Sequence, residues 1–130
     1  MVGSSIPLTK RGDEVSLSDV SGRKIIYASF GSQIYYWPEL FKKLIAATEN
    51  QNLQLKLSVG DLCGHLPDAE HVTYYRYAPQ LEILPQCSLF ISHGGANSIM
   101  EALHFGTKLW VSPMCNDQFH QGHYIKKSGI

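Results

Sequence analysis

LFISHGGANSIMEALHFGTKLWVSPMCNDQ, residues 89–118, decides how the rest of the chain is read. It runs as a short apolar strand, a paired-glycine turn, a helix start, a second apolar strand and a polar loop. In a sheet built that way, His93, Gly94, Gly95, Asn97 and Ser98 fall at the carboxyl end of a buried strand. Ligands of open α/β sheets lie at that edge, and phosphate groups favour the helix N-terminus found there. Two consecutive glycines take away side chains that would hold a diphosphate off the backbone. The helix start adds amides with a partial positive charge, and Asn97, Ser98 and His93 add side-chain donors. A purely structural account fits the same letters: Gly-Gly is a common turn, and Ser98 with Glu101 spells the S-x-x-E capping box. With Ser98 as the cap, Glu101 folds back on the helix amides. With an earlier helix start, its carboxylate is available to the vicinal hydroxyls of a ribose. The residues alone leave both accounts standing.

Upstream of this stretch the pattern alternates strand and helix. KIIYAS (24–29) is a short β-rich run, and FGSQ (30–33) supplies a glycine where a strand turns towards a helix. Pro38 fits a first helical turn, and Leu40, Phe41, Leu44 and Ile45 follow a helical period to a stop near Asn50. LQLKLSV (53–59) alternates apolar and polar residues and ends at the turn pair Gly60 and Asp61, which reads as a second strand. VTYYRY (72–77) reads as the third. Pro79 ends it and opens a short helix, QLEIL (80–84), which Pro85 closes. SLFIS, helix NSIMEALHF, strand KLWVS and helix DQFHQGHYIKK complete the order β-α-β-β-α-β-α-β-α. Strands separated by helices predict an α/β fold: a Rossmann-like, open, mainly parallel sheet with helices on both faces and right-handed crossovers. Trp110 in KLWVSP reads as sheet core.

Residues 1–22 are rich in Gly, Ser and charge, lack periodicity and read as a linker-like arm before a domain at 23–130. The last helix runs into Lys126, Lys127, Ser128 and Gly129, a basic last turn with a glycine stop. An α/β unit would start another strand there, so the chain reads as cut before its last strand.

Composition narrows the function classes. At 130 residues and 44% hydrophobic, the chain fits one soluble domain able to bury about two thirds of its unfolded surface. Eleven basic and eleven acidic residues cancel, which argues against nucleic acid or acidic membrane surfaces as partners. Cys63, Cys87 and Cys115 are an odd, widely spaced set without a CxxC pair, which argues against a disulfide framework or a zinc site and suits a reducing, cytoplasmic setting. His120 and His123 stand three apart but lack a carboxylate or Cys at ligand spacing, so no metal site is expected. No apolar run reaches the roughly 18 residues of a membrane span.

Four ordered blocks, YASFGSQ, YAPQLEIL, FISHGGANSIMEAL and SPMCNDQ, closely resemble the C-terminal half of the UDP-glycosyltransferase superfamily of GT-B fold, glycosyltransferase family 1. The resemblance spans about residue 24 to the end, and four blocks in order are far more specific than any one of them. It implies a nucleotide-sugar-binding domain that works beside an N-terminal acceptor-binding domain. The family's W-x-P-Q motif, whose tryptophan stacks on uracil, corresponds to Tyr77, Ala78, Pro79 and Gln80, with Gln80 at the ribose. Tyr77 departs from the pattern, and its smaller ring weakens the assignment of the base. By the same resemblance His93, Gly94, Gly95, Asn97 and Ser98 meet the diphosphate, and Glu101 holds the ribose. Ser29, Gly31 and Ser32 face the phosphates from the first glycine loop, and Asp117 with Gln118 binds the donor sugar. Read without the family, Tyr77 is a packing aromatic, Asp117 a helix cap and residues 29–32 an ordinary turn.

The resemblance further implies sugar transfer from a UDP-sugar to an acceptor hydroxyl with inversion, without metal or cofactor. The base that deprotonates the acceptor belongs to the N-terminal domain, so no catalytic base is expected in this chain. His93 and the helix amides would stabilise the leaving diphosphate. The chain should bind donor but not turn over alone. The alternative is a non-catalytic nucleotide-sugar-binding subunit that recruits a partner carrying the acceptor site.

Overall fold

The computed structural model describes residues 22–31, 37–114 and 118–129. Five strands form one sheet: β1 (Lys24–Ser29), β2 (Leu53–Ser58), β3 (Val72–Tyr75), β4 (Leu89–Ser92) and β5 (Leu109–Val111). Their spatial order is β3-β2-β1-β4-β5, and all four pairings are parallel. Among the described residues the α-helices are α1 (Pro38–Thr48), α2 (Gln80–Ile83), α3 (Ala96–His104) and α4 (Gln118–Ser128). This is the expected element order and the expected Rossmann-like class. The arm at 1–22 lies outside the described residues up to residue 21.

Local chemistry sets most boundaries. Pro38 opens α1 with its fixed φ and no amide to satisfy. Asn50, at φ 60°, takes the left-handed conformation that stops the chain just beyond α1. Pro85 does not close the helix at 80–84. It sits in the first turn of a 3-10 segment, Leu84–Gln86, which continues the turn, because the start of a helical turn needs no proline amide. His71, silent in the sequence, lies 3.1 Å by Nε2 from the Thr48 hydroxyl and pins the end of α1 to the approach to β3.

Parallel sheets are covered on both faces, and this one has a core on each. On one face Phe41 and Ile45 of α1 pack on Ala28, Leu55, Leu57 and Val59, with Phe30 meeting Phe41 edge-on at 5.7 Å. On the other, Ile83, Leu84 and Ala102 pack against Tyr75, Tyr27 and Phe90, the last two stacked at 4.9 Å in adjacent register. The alternation in 53–59 therefore does not separate a wet face from a dry one. Lys56, only 2% exposed, shares a row with Tyr27 and Thr73, and Gln54 donates to the Thr73 hydroxyl at 2.8 Å.

Trp110 corrects the sequence reading. β5 is an edge strand of the described sheet, and the indole stays 63% exposed instead of entering the core. Phe41→Ala is accordingly expected to cost about 3–5 kcal/mol in urea unfolding, while Trp110→Ala stays within about 0.5 kcal/mol of the parent.

Candidate functional site

Because every pairing is parallel, the carboxyl ends of the strands share one edge. A row runs across that edge through Ser92, Ser29, Ser58 and Tyr75, in register from β4 to β3. Three short side chains in a line leave room above them. Two of them also hold turns at this edge: Ser92 Oγ accepts the Gly94 amide of the turn after β4 at 3.2 Å, and Ser58 Oγ accepts, from the neighbouring strand, the Ala78 amide of the turn after β3 at 3.4 Å.

Above the row lies a cleft of about 480 Å³. Ser29 and Gly31 line it from the end of β1, Tyr77, Ala78 and Gln80 from the β3–α2 turn, and Asn97, Ser98 and Glu101 from α3. Eight sequence-predicted residues thus meet in one place. Tyr27, Ser58, Gly60, Asp61 and Arg76 also line it and were not singled out. Gly60 and Asp61 had been read only as a turn, yet a turn after a parallel strand always emerges on this edge, and that was the available signal.

Gln80 is the centre of the polar network. Its Oε1 accepts the Tyr27 hydroxyl at 3.0 Å, and its Nε2 donates to Glu101 Oε2 at 2.6 Å and to Ser98 Oγ at 3.3 Å. Burial pushes the Tyr27 phenol well above its ordinary pKa, so it stays a neutral donor. Ser98 accepts from Gln80 and so keeps its own proton to donate into the cleft.

The helix start resolves the ambiguity over Glu101. α3 begins at Ala96 with Gly95 as N-cap and no side-chain cap bond, so Ser98 is the third helical residue and the capping box does not form. Glu101 sits one turn in, 4% exposed, and faces Gln80. The Ile99 amide bonds the Gly95 carbonyl, which leaves the three preceding amides of α3 at its open end.

The glycines have a different reason from the one the sequence suggested. A Cβ on Gly95 would lie 2.7 Å from His93 Nε2, and one on Gly31 2.8 Å from His93 Cε1. Gly94, at φ +91°, would place a Cβ 2.8 Å from Val111 Cγ1. Gly31 and Gly95 therefore make room for the imidazole, and Gly94 for β5. His93, Gly94 and Gly95 form the turn at the end of β4 and do not line the cleft itself. Gln118 is buried at the start of α4, beside Gly94, and accepts the Met114 amide at 2.9 Å; it too stands outside the cleft lining. Ser32 and Asp117 lie outside the described residues.

Other conspicuous groups remain apart. His104 is exposed with its ring edge-on to Phe105. Burial pushes the Cys87 thiol up to about 11, which disfavours a reactive thiolate. Among the described residues no group of three His, Cys, Asp or Glu could hold a metal ion, and no helix is long and apolar enough to cross a membrane.

A parallel sheet in this order with a cleft at its carboxyl edge defines a Rossmann-like domain. Residues 7–130 match the family model for UDP-glucoronosyl and UDP-glucosyl transferase, and the chain belongs to that family. It is 34% identical to the NDP-glycosyltransferase YjiC of Bacillus subtilis over 99% of this chain and 33% of that protein. It is 30% identical to the oleandomycin glycosyltransferase of Streptomyces antibioticus over 82% of this chain and 26% of that one. The structure of Arabidopsis thaliana UGT89C1 complexed with UDP superposes with a TM-score of 0.76 at 26% identity, covering 97% of this chain and 35% of that one. The kitacinnamycin glycotransferase shares the fold, with a TM-score of 0.80 at 23% identity over 99% of this chain and 33% of its own. The chain spans about a third of the length of the first curated relatives it matches.

Two substitutions test this geometry. Gly94→Ala should lower the unfolding free energy by about 1–3 kcal/mol through its backbone conformation alone, with the Val111 clash added. Gln80→Leu takes one amide from both the Tyr27 hydroxyl and the Glu101 carboxylate, and should cost roughly 2–4 kcal/mol in the same urea titration.

Proposed function

We propose that this chain binds the UDP-sugar donor as half of an inverting, metal-independent glycosyltransferase that transfers a hexosyl group to an acceptor hydroxyl. The observation that carries the reading is the meeting of Gln80, Ser98 and Glu101 with the amino end of α3 in one cleft. The UDP held by structural relatives supports it.

In this reading the ribose hydroxyls donate to Glu101, which Gln80 holds in place, and the base stacks on Tyr77 with Ala78 beside it. The diphosphate lies on the open amides of α3, with Asn97, Ser98, Ser29 and Gly31 around it and the His93 turn behind, and the family resemblance assigns Ser32 to it as well. Asp117 and Gln118 serve the donor sugar. In the reaction the acceptor oxygen forms its bond to the anomeric carbon from the side opposite the diphosphate. A base on the N-terminal acceptor domain takes the acceptor proton, and the bond to the diphosphate oxygen breaks. Negative charge then grows on the leaving UDP, where the α3 amides and His93 lower its energy without a cation or other cofactor. Without an acceptor base, this chain alone holds donor and does not turn over.

UDP at 100 times its Kd should stabilise the chain by about 2.7 kcal/mol, read as a rise of several degrees in Tm. A folded chain whose Tm does not move with millimolar UDP would refute donor binding. In a full-length parent enzyme, His93→Ala should lower kcat more than it weakens UDP binding; unchanged turnover removes His93 from the leaving-group role.

A further inference from the structure

Arg76 and Asp61 form a charged pair at the end of the cleft farthest from the α3 turn. Arg76 follows β3, and Asp61 stands in the turn after β2. The two turns are fastened twice: the Gly60 amide donates to the Arg76 carbonyl at 3.1 Å, and the guanidinium meets Asp61 Oδ1 at 2.5 Å. Both side chains remain more than half exposed, and both line the cleft. Two strands, β2 and β1, separate β3 from β4. At about 4.8 Å per strand step, Arg76 stands roughly 14 Å from the turn that precedes α3. That span suits a nucleoside diphosphate lying along the edge, with its phosphates on α3 and its base beside Tyr77 and Arg76.

We infer that Arg76, held by Asp61, reads the edge of the donor's base and selects bases that present a carbonyl oxygen over bases that present an amino group. The inference rests on the nucleotide reading of the cleft and adds to it a residue and a selectivity. Arginine offers only donors, five N–H groups in a fixed fork. Uracil and thymine present O4 as an acceptor, and guanine presents O6 and N7. Cytosine and adenine place an amino donor at the corresponding position, which would face the guanidinium donor to donor. Asp61 keeps the guanidinium in one place and supplies its counter-charge, so the cation does not draw the diphosphate to the wrong end. The hydrogen bond to Asp61, then its charge, raises the arginine pKa further, with a smaller contribution from Tyr77, so the donor set is constant with pH. Tyr77, 58% exposed, gives a flat surface that accepts a pyrimidine or a purine.

Titration calorimetry with UDP, CDP, GDP and ADP tests this on the chain itself. UDP should bind about tenfold more tightly than CDP, and GDP more tightly than ADP by a similar factor. Arg76→Met should level each pair to within about twofold, and Asp61→Asn should shrink the preference in the same direction. Equal binding of UDP and CDP by the parent, or a preference that survives Arg76→Met, overturns the inference while leaving the nucleotide site intact. A preference lost in Asp61→Asn but kept in Arg76→Met assigns the reading to the carboxylate and also overturns it. Failure of all four nucleotides to bind the folded chain overturns the nucleotide reading itself.

Discussion

One carboxamide connects elements that the sheet alone would leave independent. Gln80 takes a hydrogen bond from Tyr27 on β1 and gives two to Ser98 and Glu101 on α3, while its own backbone begins α2. An amide suits this place because it accepts and donates at once. A carboxylate could not donate to Glu101, and a hydroxyl could not span three partners. The position of α3 over the cleft, and with it the direction of the open amides, depends on that junction.

The serine row explains why the junction has space around it. Parallel pairing brings Ser92, Ser29 and Ser58 side by side at the carboxyl edge, one per strand. Their hydroxyls are short enough to leave a cleft, yet Ser92 still reaches the Gly94 amide of its own turn and Ser58 the Ala78 amide of the turn after β3. Alanines would leave the same volume but release those turns. Leucines would hold nothing and fill the cleft. The composition of this row therefore couples the shape of the site to the conformation of its loops.

The fold was legible where the local signal and the global arrangement agree. Pro38 and Asn50 bound α1 by backbone chemistry that no neighbour overrides, and the short runs at 24–29 and 89–92 form the adjacent inner strands β1 and β4. Trp110 was misread because an apolar residue in a strand signals burial only if something covers it, and edge position is a property of the whole sheet. The eight cleft residues foreseen from the motifs sit at or just after strand ends, at the start of α2 or on α3. Arg76 and Asp61 carry no motif, and their place in the cleft follows from strand order, which separates neighbours in sequence and joins strangers.

Structure also changes which residues count as evidence of a ligand. Gly31, Gly94 and Gly95 would be needed in an empty protein, since His93 and Val111 occupy the space of their missing side chains. They say little about phosphate. Glu101 says more. It is a carboxyl group at 4% exposure that takes a hydrogen bond from Gln80 at 2.6 Å. Buried ion and polar pairs replaced by apolar residues of similar volume often leave a fold equally stable. In the proposed donor-binding reading, ribose hydroxyls that approach along the cleft donate to that carboxyl group, which gives a polar group at this point of the edge a use that an apolar residue of the same size would not have.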